Sequence, residues 1–124
     1  MAATIKLGQV YRPKAFQAHY HVVISNPPQK QGPVLVVNWT TFDDNCIDDA
    51  CVLNAGDYPT IRHPSTIAYA RAHLWRAEKI AFAVANGILD ELEPVDAGVL
   101  KRIVEGGLKS KELRAEWKAM LPKL

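Results

Sequence analysis

The sequence predicts one small α+β domain, mainly β, with antiparallel strands in its first half and helices closing the chain. Two runs, His19–Ser25 and Val34–Thr41, are dense in β-branched and aromatic residues and flank a connection holding Pro27, Pro28, Gly32 and Pro33. Towards the C-terminus, Val99, Leu100, Ile103 and Val104 recur at helical spacing, as do Leu113, Trp117, Met120 and Leu121. At 124 residues there is room for one hydrophobic core and not for two.

Taken in order, Leu7–Tyr11 is a short first strand stopped by Arg12-Pro13, and residues 14–18 are a polar connection. His19–Ser25 ends at Asn26-Pro27-Pro28, because consecutive prolines supply no backbone donors. The connection Asn26–Pro33 is longer than the tightest turns, and the runs on either side of it most simply pair antiparallel. The acidic stretch Phe42–Asp49 reads as a loop, Ala50–Leu53 as a short strand and Asn54–Pro59 as its closing turn.

Ser65–Gly87 gives divided signals. Its Ala, Leu, Arg, Glu and Lys content favours helix, with Ser65 as a cap. Yet Ile67, Tyr69, Arg71, His73 and Trp75 share one side at strand spacing. Periodicity leaves both readings open over residues 66–75. Asn86-Gly87 marks a stop. Pro94 starts a helix over Ala97–Glu105 that ends at Gly106-Gly107, and Ser110 opens a last helix that Pro122 closes. No repeat, low-complexity tract or linker divides the chain.

Hydrophobic residues at 48% and charged residues at 23% exclude global disorder. No apolar run approaches the roughly 18 residues needed to span a bilayer. Met1–Lys6 leads into a polar segment instead of an apolar signal core, so a cytoplasmic location without membrane association is expected. A net charge of +2 does not by itself demand a nucleic-acid partner. The charge is uneven, however: Asp43, Asp44, Asp48, Asp49 and Asp57 are followed by Arg62, Arg71, Arg76, Lys79 and a basic C-terminal half. Solvated helical faces account for most of that pattern. Cys46 and Cys51 lack the spacing partners of a zinc site, and reduced thiols are expected.

Leu7-Gly8-Gln9-Val10-Tyr11, Val22-Val23-Ile24-Ser25 and Val34–Thr41 stand in an order that resembles the MazF/PemK family of toxin ribonucleases. Members open with a Gly-Asp-Ile/Val strand, follow with Arg-Pro-x-x-Val-Ile-Ser and Val-x-Val-x-Pro-x-Thr-Ser strands, and finish with a helix. The resemblance implies a small SH3-like antiparallel barrel followed by C-terminal helices, and a strand over Thr66–Trp75. It implies single-stranded RNA as substrate, cleaved without metal or cofactor, a protein antitoxin occupying the substrate groove, and a homodimer. The family's strand-end threonine is matched by Thr40, with Thr41 beside it. Its arginine is matched by His19, its proline by Asn38 and its first-strand acid by Gln9.

Metal-free RNA cleavage needs a base for the 2′-hydroxyl proton, an acid for the leaving 5′-oxygen and a donor for the phosphorane charge. Histidine serves either proton-transfer role. His19 and His21, two apart on a strand, project to one face. Asn38 and Thr40 share a face of the next strand, where an amide and a hydroxyl can bind a phosphate oxygen or a base edge. Trp39 points to the opposite face as a core residue.

Gly56–Ser65 concentrates Asp57, Tyr58, Arg62, His63 and Ser65 in a loop held by Gly56, Pro59 and Pro64. Arg62 can replace the missing family arginine, since its fork matches phosphate, and His63 can be the second acid–base group. The competing reading of this loop is a structural turn capped by Asp57 and Ser65. The expected catalytic residues are therefore His19, Thr40, Arg62 and His63, with His21, Asn38, Thr41, Asp57 and Ser65 as substrate contacts. Two other functions stay open: a non-catalytic module binding a protein or nucleic acid, and an enzyme acting on another phosphate ester.

Overall fold

The computed structural model describes residues 5–27, 31–46 and 48–124, so the middle of the Asn26–Pro33 connection lies outside the described residues. The strands are β1 (Val10–Pro13), β2 (His21–Val23), β3 (Pro33–Thr41), β4 (Val52–Leu53), β5 (Ser65–Ile67), β6 (His73–Arg76) and β7 (Leu89–Leu92). A 3-10 turn (Tyr69–Arg71) separates β5 from β6, and the helices are α1 (Ala77–Ala85), α2 (Ala97–Lys109) and α3 (Ala115–Lys118). The protein is α+β and mainly β. Its antiparallel sheet has the order β4-β5-β3-β2-β1-β7, with β6 also on β3, and does not close on itself. Such an open sheet is compatible with a barrel-like fold.

The long strand β3 organises everything else. Val34–Trp39 is apolar and β-branched enough to be buried on both faces, and the strand pairs along both edges. One edge takes β2, in the register His21↔Asn38 and Val23↔Val36. The other edge takes β6 beside Pro33–Val36 and β5 beside Trp39–Thr41. The expected antiparallel pairing of the two central strands is thus present.

Residues 66–75 are neither one strand nor a helix. They form the end of β5, the 3-10 turn and the start of β6, so that two short strands share one edge of β3, β6 beside Pro33–Val36 and β5 beside Trp39–Thr41. The helical composition is realised further on, as α1. The first strand also differs from the expectation. It ends at Pro13, but Arg12 and Pro13 belong to it and pair with Asp90 and Leu89 of β7, and it begins only at Val10, after a turn at Gly8 with φ +86°. Helix α2 runs through Gly106-Gly107 to Lys109, with Asp96 as its N-cap accepting from the Val99 N–H. Ser110 closes α2 instead of opening the last helix, and α3 is only Ala115–Lys118.

Alternation along β3 feeds two cores. Leu35, Val37 and Trp39 join Val10, Val22, Ile67 and the α2 residues Val99, Leu100, Ile103 and Val104. Val34 and Val36 face the other way, against Tyr11, Val23, Leu89 and Ile80 of α1. Each sheet face is therefore covered by its own helix. Cys51 is buried in the larger core and, like Cys46, is a free thiol; burial pushes it up to about 11. Among the described residues, no helix is long and apolar enough to cross a membrane.

Candidate functional site

The C-terminal end of β3 stands between two histidines. Continuing the β2–β3 register outward from His21↔Asn38 sets His19 opposite Thr40. On the other edge, Thr41 pairs with Ser65, and His63 lies just beyond the start of β5. Backbone bonds hold this corner: the Phe42 N–H donates to the Pro64 carbonyl at 2.9 Å, and Trp39 N–H to the Tyr20 carbonyl at 3.3 Å. Ile61, 5% exposed, anchors the loop that carries Arg62 and His63 into the larger core.

The result is a cleft of about 200 Å³ whose walls include His19, Thr40, Thr41, Arg62, His63 and Ser65. Thr41 Oγ1 lies 3.0 Å from His63 Nε2, a hydrogen bond that fixes the imidazole over the end of β3. Ser65 donates from Oγ to the His63 carbonyl at 3.1 Å, so it shapes the loop as well as lining the cleft. His19, Arg62 and His63 are exposed, and Arg62 has no ion pair among the described residues. The cleft therefore brings two histidines, an arginine without an ion pair among the described residues and several hydroxyl-bearing residues around one small volume.

Tyr20 and Trp39 add an aromatic wall, although the sequence places Trp39 in the core. Their rings stack at 5.5 Å with an interplanar angle of 11°, and Arg12 sits over Tyr20 at 5.6 Å. Trp39 is indeed a core residue at 5% exposure, yet it also lines the cleft. The available signal was Tyr20 itself, an aromatic residue next to a candidate histidine. Thr60 also lines the cleft and was not anticipated.

His21, Asn38 and Asp57, expected to contact substrate, are not brought to this cleft. Asp57 accepts from the Asn54 N–H at 2.7 Å and from Arg102 at 3.1 Å, contacts that hold its carboxyl below the usual carboxylate range. It is the turn-capping residue of the competing reading. Asn38 is 3% exposed on the face of the smaller core. His21 lies under rings from β6, with Trp75 at 4.8 Å and His73 at 5.6 Å. His21 Nδ1 and Asn38 Nδ2 are buried without partners among the described residues.

Burial, reinforced by the charges of His73 and His19, pushes His21 down to about 4 from its ordinary 6.5. Between these values the unfolded chain binds a proton that the folded chain does not, so stability falls as pH drops from 6.5 to about 4 and is unaffected by this group above 6.5. The slope contributed is at most about 1.4 kcal/mol per pH unit. Urea midpoints measured across that range should fall less steeply for His21→Leu than for the unmodified chain. Equal slopes would assign the acid sensitivity elsewhere.

Compared with known protein families and with curated proteins, the chain matches none.

Proposed function

We propose that this protein is an endoribonuclease that cleaves single-stranded RNA by attack of the 2′-hydroxyl on the adjacent phosphate. One observation carries the reading: Thr40 and Thr41 stand between His19 and His63 in a cleft that also holds Arg62. One imidazole takes the 2′-hydroxyl proton as the 2′-oxygen bonds to phosphorus. The other, protonated, gives its proton to the 5′-oxygen as the P–O5′ bond breaks, leaving a 2′,3′-cyclic phosphate and a 5′-hydroxyl. The Arg62 guanidinium and the Thr40 hydroxyl bind the non-bridging oxygens, where charge grows in the transition state. Thr41 positions His63 through the 3.0 Å bond. Tyr20, half-buried in the cleft wall, gives an unpaired base an aromatic edge to lie against.

The resemblance in strand order adds a biological setting: a toxin, working as a homodimer and restrained by a protein antitoxin. Purified protein should cut single-stranded RNA in EDTA into fragments ending in cyclic phosphate, and its expression should arrest growth. Intact RNA after incubation with substrates that cover every dinucleotide step would refute the reading.

A further inference from the structure

We infer that the substrate strand continues past Thr40 into a second cleft, where Arg71 holds a further phosphate and Glu112 and Asn45 face its base. This rests on the ribonuclease reading above. The second cleft, of about 260 Å³, is lined by Thr40, Asn45, Asp48, Arg71 and Glu112, among others. Thr40 belongs to the walls of both clefts, so the two neighbour one another at that residue near the end of β3.

The arginines mark the substrate's course. Arg76, Arg102 and Arg114 are each held by a carboxylate, and Arg12 lies over Tyr20. Arg62 and Arg71 are exposed and have no ion pair among the described residues, and each lines one of the two clefts. Two guanidinium groups without ion pairs among the described residues, one in each cleft that Thr40 lines, suit successive phosphates of one strand. A volume of this size takes one splayed nucleotide and no duplex.

The carboxylates of the second cleft differ in availability. Asp48 is engaged, accepting from Ser110 Oγ at 2.6 Å and from the Ala50 N–H at 2.9 Å. Glu112 is exposed and has no ion pair among the described residues, although it shares the cleft with Arg71. A free carboxylate accepts from an exocyclic amino group, as on cytosine, and has nothing to accept from at the corresponding O4 of uracil.

Fluorescence anisotropy with 2′-O-methyl oligonucleotides, which bind without being cut, tests this on the full chain. A dinucleotide is compared with trinucleotides extended at the 5′ or the 3′ end by cytidine or uridine. Extension at one end should raise affinity and steepen the log–log salt dependence by about 0.7 for the added phosphate. Arg71→Ala should remove both gains, whereas Lys101→Ala, the same loss of charge on the exposed side of α2, should keep them. Cytidine should bind about tenfold better than uridine at the added position, and Glu112→Gln should erase the difference. Equal affinity of dinucleotide and both extended forms, or Arg71→Ala behaving like Lys101→Ala, overturns the second subsite alone. No binding of any oligonucleotide overturns the ribonuclease reading and the subsite with it.

Discussion

Replacing His63 with alanine is expected to slow RNA cleavage by about 10²–10⁴-fold, the usual contribution of a positioned acid or base. The protein should fold normally, because His63 is exposed and its one side-chain bond is to the equally exposed Thr41. His19→Ala should have an effect of the same order from the opposite wall of the cleft. The double variant should be little worse than the slower single one, since an acid and a base that act in one step do not contribute additively. His73→Ala is the informative control: its imidazole sits against Trp75 and His21, away from the cleft. Single-turnover rates at saturating RNA separate the cases. A His63→Ala rate near that of the unmodified protein would remove His63 from the chemistry.

The largest expected effect on stability is at Gly106. A β-carbon there would lie 2.5 Å from Tyr69 Oη, 2.8 Å from Cys51 Cβ and 3.0 Å from the Ala50 carbonyl oxygen. Tyr69 cannot swing aside cheaply, because it is 1% exposed and its hydroxyl donates to the Ile103 carbonyl. Alanine would gain roughly 1 kcal/mol of helix propensity. Against this stand about 1–3 kcal/mol of overpacking and about 1 kcal/mol for the disturbed Tyr69 bond. Gly106→Ala should therefore lower the urea midpoint. Gly98→Ala in the same helix meets only Asp96 Oδ1, at an ordinary 3.5 Å, and should raise stability by about 0.5 kcal/mol. A neutral or stabilising Gly106→Ala would show that α2 does not lie this close to Tyr69 and Cys51.

The same glycine explains one place where the sequence misled. Gly106-Gly107 has the composition of a helix stop, but here it lets α2 approach Tyr69 closely while the helix continues. The central pair was legible because β3 is buried on both faces over Val34–Trp39 and so reads as a mostly apolar run rich in valine. Strand β7, Leu-Asp-Glu-Leu, was not legible: acidic residues are poor strand formers, and its conformation is set by pairing with β1, distant in sequence. Residues 66–75 carried strand spacing and helical composition at once because they turn a corner between two strands. Arg62, His63 and Ser65, marked out by their loop, share one cleft wall, since a buried Ile61 fixes that loop in the core. Asp57, in the same loop, was drawn off by Arg102, a partner on α2 that local sequence could not reveal.

In-cleft attack by the 2′-hydroxyl is tested most directly by a single-stranded oligonucleotide in which only the ribose before the cut phosphate is changed to deoxyribose. Cleavage at that bond should vanish while the all-ribose strand is cut to a 2′,3′-cyclic phosphate and a 5′-hydroxyl. Continued cutting at the deoxyribose position, or products ending in a 5′-phosphate, would contradict a His19–His63 cleft that uses the substrate's own hydroxyl.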